Sequence, residues 1–353
     1  MAETILLIHI GDMHLRNADN PILKRIPEIV DSIKSQRLTP GSCFVVVQGD
    51  IAFSGAAHEY ALAQSFFSEL LSRLGQEFPG VSPQIIFVPG NHDCNFTEES
   101  DIRKAGLSPA RVSELDVAGG FAREFLAVQQ NYFEFVARFG QTHKTQRDRL
   151  HLRKAFVISS DKTIAFSCVN TAWMSTNPEV YGRLFYPNQL HTPAKDLTAD
   201  VEIVVAHHPP HWLEPDNGHA FRDQIDKKAD IVLTGHEHRH ELVTRVGAAF
   251  NVEYLAGKAA YDPRAAENGF NLVTIVLEDR QWTVTPLLWT GSRYEDTQGS
   301  QTRPFLRNKA LTDEGFENNS DFLDELTDVG TGFTHSKKYL RLADVFVYPH
   351  IFD

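Results

Sequence analysis

The sequence predicts an α/β fold: a four-layer α-β-β-α sandwich with two facing mixed sheets and a helical insertion. Three observations lead there. Apolar runs rich in Val and Ile alternate with helical patterns over residues 4–88, the rhythm of a layered fold with partly parallel strands. After a break at 94–150, strand-like runs return in sufficient number for a second sheet packed on the first. Five of the runs lead directly into Asp, Asn or His, so strand ends from both halves carry the polar chemistry.

Residues 4–10 (TILLIHI) read as a buried strand ended by Gly11. Residues 21–36 suit a helix with Pro21 at its start. Residues 43–48 (CFVVVQ) are a second strand, ended by Gly49-Asp50. A helix over 57–74 puts Tyr60, Phe66, Phe67, Leu70 and Leu74 on one face. Residues 84–88 form a third strand, stopped by Pro89-Gly90. In the insertion, residues 121–139 space Phe121, Phe125, Val128, Tyr132, Phe135, Val136 and Phe139 by threes and fours, an amphipathic helix whose aromatic stripe reads as packing. Lys144, Arg147, Arg149, Arg153 and Lys154 read as a solvated basic face. Strands are expected at 155–159, 163–170, 201–206, 230–234, 242–246, 250–255, 270–277 and 282–289. One domain is thus expected over 1–291. In 292–353 follow a polar stretch, an acidic linker at 312–328 without Lys or Arg, and an apolar tail at 339–353.

The hydrophobic fraction of 42% and charged fraction of 23% are those of a soluble globular chain. No stretch approaches ~20 apolar residues, so no membrane helix is expected. Glu3 precedes the first strand without a basic segment, so no signal peptide is expected and the expected location is cytoplasmic. Cys43, Cys94 and Cys168 show no CxxC spacing, which argues for a reducing compartment. Cys94 reads as an ordinary free thiol. A net charge of -12 without a basic stripe argues against a long nucleic-acid track. It says less about a small nucleotide, because bound cations add local positive charge.

The five runs end in Asp12-Met13-His14, Gly49-Asp50, Gly90-Asn91-His92-Asp93, His207-His208 and Gly235-His236-Glu237-His238. Singly, each has a plain reading: Asp12 as a turn residue, Asn91 as a left-handed residue. His9, on its apolar strand, reads as a core histidine. Jointly, they supply what a two-metal hydrolase needs. Two divalent cations about 3.5–4 Å apart activate water and clamp a phosphate. Holding them so close takes a bridging carboxylate, and Asp50 is the candidate. Oxygen and imidazole donors without Cys suit Mn, Fe or Zn.

On these motifs, residues 4–290 resemble the calcineurin-like metallophosphoesterase superfamily: DxH (Asp12, His14), GD (Gly49, Asp50), GNHD (Gly90 to Asp93), HH-Pro (His207, His208, Pro209) and GHxH (Gly235, His236, His238). The resemblance implies one metal held by Asp12, His14, Asp50 and His238, and a second held by Asp50, Asn91, His207 and His236. His208 is the alternative to His207, and Mn is the first choice of metal. It also implies that His92 contacts phosphate and protonates the leaving oxygen. Asp93 is expected to fix the His92 imidazole by a hydrogen bond. His211, His219 and His240 lie near motifs and are candidates for substrate contact. Glu237 is expected to point away or to support its neighbours.

The run Gly49 to Gly55 and the sequence His207-His208-Pro209-Pro210 look more like bacterial phosphodiesterases than protein Ser/Thr phosphatases, which carry GNHE where Asp93 stands. The expected activity is hydrolysis of a phosphodiester in a nucleotide or nucleic acid, by a nuclease or a cyclic-nucleotide-type enzyme. A phosphomonoesterase and a non-catalytic regulatory module are the alternatives. The run Tyr339 to Pro349 looks like the opening of an ATPase module, as where a phosphoesterase is the N-terminal effector of a STAND-type bacterial defence protein. That resemblance implies a C-terminal ATPase partner and gating by homo-oligomerisation.

Overall fold

The computed structural model describes residues 4–106, 120–159, 161–191, 199–247 and 250–304. Layering starts at β1 (Thr4–Ile10), whose side chains alternate between two buried surfaces. Ile5 and Leu7 pack with side chains of the second sheet, while Leu6, Ile8 and Ile10 join the cluster under the helices. Burial on both faces is why the strand reads as an unbroken apolar run.

In the first sheet, β1 lies parallel to β2 (Ser42–Val47), which is parallel to β3 (Gln84–Phe87). The second sheet has the order β4 (His151–Val157), β5 (Thr163–Val169), β6 (Val201–Ala206), β7 (Ile231–Thr234), β9 (Asn251–Ala256), β8 (Glu241–Val246). Its four inner strands are parallel and its two edges antiparallel. On the other side of β1 the first sheet continues antiparallel through β10 (Gly269–Val276) and β11 (Gln281–Trp289). Between the sheets, Phe44 meets Phe166 at 5.0 Å beside Val46, Ile203 and Val205. Outside, α1 (Ile26–Ser35) and α2 (Ala57–Glu77) share a buried cluster with the outer side chains of β1 and β2. The insertion contributes α3 (Asp101–Gly106), α4 (Gly120–Leu126), α5 (Gln130–Ala137) and α6 (Gln146–Leu150). On the second sheet, Phe221 and Ile225 of α7 (Pro215–Asp226) join Val204, Ala206 and Val232. The α-β-β-α order is therefore as the sequence predicts.

Several boundaries differ from the sequence reading, among them the strand expected at 155–159, which is β4 from His151 to Val157. The expected helix 21–36 opens as a separate 3-10 turn, Pro21–Lys24, capped by Asn20. A continuous helix would need the N–H that Pro27 lacks. The expected helix 121–139 is broken by a 3-10 turn, Ala127–Gln129. There Gln129 turns inward to Asn170, and the Val128 carbonyl accepts the Asn95 N–H. The first sheet also continues past residue 291: β12 (Tyr294–Asp296) and β13 (Gln301–Pro304) pair with β11, with Tyr294 packed on Phe270 and Trp289. Helix α7, with its Asp, Asn and Gly, gave no helical signal in the sequence.

The aromatic stripe is packing: Phe135 stacks on Tyr60 at 5.2 Å and meets Phe87 at 5.3 Å. In the basic run, Arg153 forks onto Glu202 and Arg149 lies over Phe133, so these two are used by the fold. Cys94 is buried, and burial pushes its thiol up to about 12, as suits an inert cysteine. Among the described residues no helix is long and apolar enough to cross a membrane. The acidic stretch 312–328 and the apolar tail 339–353 lie outside the described residues.

Candidate metal centre

Parallel strands bring their C-terminal ends to one edge of a sheet, where α/β folds place ligands. The loops after β1, β2, β3, β6 and β7 carry the five motifs. Among the described residues seven non-glycine residues have positive φ, and five are Asp12, His14, Asp50, His236 and His238. Each such residue costs of order 1 kcal/mol or more, so these turns aim their side chains against local preference. The N–H groups of Met13 and His14 both donate to the Asp50 carbonyl, at 2.8 and 3.0 Å, locking the first two motifs together. Two glycines are steric necessities. A Cβ on Gly90 would lie 2.0 Å from Asp50 Oδ1, and one on Gly49, at φ 102°, would lie 2.6 Å from His207 Nδ1.

Two donor clusters meet at Asp50. In one, His238 Nε2 lies 3.4 Å from Asp12 Oδ1 and 3.3 Å from His14 Nε2. In the other, Asn91 Oδ1 lies 3.0 Å from His207 Nε2 and 3.2 Å from His236 Nδ1. Asp50 Oδ2 sits between them, 3.9 Å from His14 Nδ1 and 3.5 Å from His207 Nε2. All seven residues that the sequence proposes as metal ligands are thus brought together.

The donor set fits divalent cations. His14 Nδ1 is buried without a hydrogen-bond partner, an expensive arrangement for a group that binds nothing, and Asp12 Oδ1 has His238 Nε2 at 3.4 Å. Burial pushes His14 down to about 4 against the pull of Asp50 and Asp12, leaving a neutral ring with a lone pair to donate. Burial would also push His207 down, yet the Asp50 carboxylate lifts it to about 10: the spot favours a positive charge. Outer partners set the tautomers. His207 Nδ1 donates to the Gln48 carbonyl at 2.8 Å, and His238 Nδ1 pairs with Asp262 Oδ2 at 3.0 Å, leaving each Nε2 for the centre.

His92 stands beside this centre. Its N–H donates to Asp50 Oδ1 at 2.8 Å, and its ring meets His14 at 4.7 Å. The expected Asp93–His92 hydrogen bond is corrected: His92 Nδ1 donates to the Phe53 carbonyl at 2.7 Å. Asp93 instead accepts from the N–H groups of Gly90 (2.9 Å), Ile51 (3.3 Å) and Ala52 (3.0 Å) and from the Tyr60 hydroxyl (3.0 Å). It sits behind the centre and ties the GD loop to the GNHD loop. Burial and the nearby Asp50 charge push its carboxyl up to about 6, against those donors.

The remaining histidines separate. His208, whose ligand atom lies within 4.8 Å of those of His207 and His236, has both ring nitrogens taken, Nδ1 by Thr171 Oγ1 (2.9 Å) and Nε2 by Glu179 Oε2 (3.0 Å). His211 pairs with Glu237, whose other oxygen takes Arg239, so Glu237 supports neighbours. His240 pairs with Asn271, and His219 is an exposed residue of α7. Sequence reasoning missed Glu179, which also lies 3.7 Å from His236 Nε2. It sits in an irregular loop with no motif around it. That loop is held by buried Arg103 of the insertion, which donates to the carbonyls of Trp173 and Ser175.

The centre is flanked on both sides. Beside His14 lies a pocket of about 410 Å³ whose lining includes Arg16, Phe53, Tyr261 and Arg264. Beside His236, Trp212 packs edge-on at 4.1 Å and carries the exposed Tyr181 at 5.2 Å.

A layered α/β sandwich with paired acid, amide and imidazole donors at its strand ends defines a metallohydrolase. The family model of the calcineurin-like phosphoesterases matches residues 5–240, and the chain belongs to that family. It is therefore a metal-dependent phosphoester hydrolase. Comparison with curated proteins found no match. Among solved structures, GAP50 of Plasmodium overlays with a TM-score of 0.49 at 14% identity, covering 87% of this chain and 90% of that one. A candidate 5'-nucleotidase from Staphylococcus aureus overlays at 0.39 and 15% identity, covering 92% of this chain but 59% of its own. Zinc-bound Vps29 of Entamoeba histolytica overlays at 0.33 and 14% identity, covering 85% and 99%.

Proposed function

We propose that the chain is a phosphodiesterase that works with two divalent cations on a nucleotide or a nucleic acid. The observation that carries this reading is the Asp50 carboxylate between two donor clusters, 3.9 Å from His14 and 3.5 Å from His207. Asp12, His14, Asp50 and His238 would hold one cation, and Asp50, Asn91, His207 and His236 the other. When bound, such a pair neutralises phosphate charge and supplies an activated water. Mn is the first choice for an imidazole and oxygen set without thiolate, with Fe and Zn as alternatives.

The protein's own part is positioning and proton transfer. The Phe53 carbonyl and the Asp50 carboxylate fix the His92 ring and backbone beside the centre, where the ring can give a proton to the leaving oxygen. A diester carries a group on each side of phosphorus. The pocket beside His14 and the open aromatic face beside His236 offer room for both.

The reading extends to a catalytic domain followed by a linker and tail, cytoplasmic, acting as the effector of a larger defence protein that oligomerises through an ATPase module. Its support is the sequence resemblance at 339–349, and the mass of the native gene product tests it. The activity is tested with manganese, bis(p-nitrophenyl) phosphate and p-nitrophenyl phosphate. Diester hydrolysis lost in His92→Ala is the expected result. Hydrolysis of the monoester alone would replace this reading with a phosphomonoesterase. Bound metal without turnover of either would favour the regulatory module.

A further inference from the structure

Resting on the phosphodiesterase reading, we propose that the site takes a single-stranded oligonucleotide whose neighbouring phosphate binds in the pocket beside His14, on Arg16 and Arg264. Both arginines are tied to residues of the centre. Arg16 lies over the Phe53 ring at 3.3 Å, and the Phe53 carbonyl holds His92. Among the described residues Arg16 forms no ion pair, so its guanidinium is available to an anion. Arg264 is held by Asp262, the same carboxylate that orients His238. Asp19 and Asp262 also line the pocket, and cations bound at His14 tip the local balance to positive. Guanidinium groups suit phosphate because they fork onto two of its oxygens.

The opposite side carries the complementary feature. Tyr181, 61% exposed, packs on Trp212, which abuts His236. The exposed Tyr181 ring, backed edge-on by the part-buried Trp212, offers a base a face to stack on beside the scissile position. A strand crossing from this platform over the metal pair would set its next phosphate in the arginine pocket. A cyclic mononucleotide has no second phosphate and would leave Arg16 without an anion to bind. Recognition by two arginines and an aromatic pair also agrees with a chain of net charge -12 that lacks a basic stripe.

The test compares TpT, its 5'-phosphorylated form pTpT, and ADP as substrates of the manganese-loaded full chain. The dinucleotide with the extra phosphate should be cleaved with a kcat/KM about tenfold above TpT, a preference lost in Arg16→Ala and partly kept in Arg16→Lys. Equal rates on TpT and pTpT, or a preference that survives Arg16→Ala, overturns the proposal. An Arg16-dependent preference for ADP over pTpT would assign the pocket to a diphosphate and overturn the strand. Binding is read separately by fluorescence anisotropy of labelled oligo(dT) in the His92→Ala background. Arg16→Ala should weaken binding there and lower the salt slope of log K by about 0.7, one phosphate contact. Unchanged affinity and slope would overturn the proposal even with no hydrolysis. Failure of the phosphodiesterase reading would show instead as no turnover of bis(p-nitrophenyl) phosphate.

Discussion

The backbone N–H of His92 donates to Oδ1 of Asp50 at 2.8 Å, while Oδ2 of the same carboxylate faces His14 on one side and His207 on the other. One side chain therefore joins both halves of the metal centre to the loop of the candidate proton donor. Asp50→Asn keeps the shape but turns an acceptor into an NH2 and removes the shared charge. Both cations should weaken together, by at least about 100-fold, given that even outer-sphere changes cost 10–100-fold. Metal analysis by mass spectrometry after dialysis checks this. Loss of a single metal equivalent would remove Asp50 from the bridging position.

The hydrogen bonds of His92 run from its backbone N–H to Asp50 Oδ1 and from Nδ1 to the Phe53 carbonyl, so neither uses its Nε2. His92→Ala should lower turnover of a diester on the order of 10²–10⁴-fold, the range of general-acid catalysis. Metal content should stay near that of the unaltered protein. A variant that loses its metals would place His92 among the ligands.

The five motifs were legible because each ends a two-sided buried strand, and such strands announce themselves as unbroken apolar runs. Asp50 as the shared carboxylate follows from the same reading. Glu179 was not legible, since its loop has neither periodicity nor motif and reaches His208 and His236 only through the fold. The partner of Asp93 was misread for a related reason. Adjacency in sequence suggested His92, but the turn at Asn91–Asp93 is a 3-10 turn that sends neighbouring side chains in different directions. Strands β12 and β13 escaped because three or four residues carry too little pattern, and their pairing with β11 is a tertiary fact.

Asp93 is thus a structural acceptor with four donors. In Asp93→Asn, one carboxylate oxygen becomes an NH2 that faces donors instead of accepting from them. Leaving buried donors unsatisfied costs about 1–3 kcal/mol, and the GD and GNHD loops should loosen together. Urea unfolding should show that loss, and hydrolysis should fall with metal affinity. A variant of unchanged stability and reduced turnover would return Asp93 to a direct role in catalysis.

His9 gives the pH dependence a sign. It is fully buried, accepts from Asn271 Nδ2 at 3.2 Å, and has an unpartnered Nε2. Burial pushes its pKa down to about 3 against the nearby Asp12, whereas an unfolded histidine titrates at about 6.5. Between these values the unfolded chain binds the proton and the folded chain does not. Stability from this residue is therefore complete above pH 6.5 and is lost as the pH falls toward 3. At pH 5 the loss is about 2 kcal/mol, at 1.36 kcal/mol per unit. Urea unfolding of the metal-free protein at pH 8 and pH 5 measures it, with His9→Met as the comparison. The variant should lose about 2 kcal/mol less between the two pH values. Equal losses in both proteins would mean that the buried ring takes up its proton within the fold.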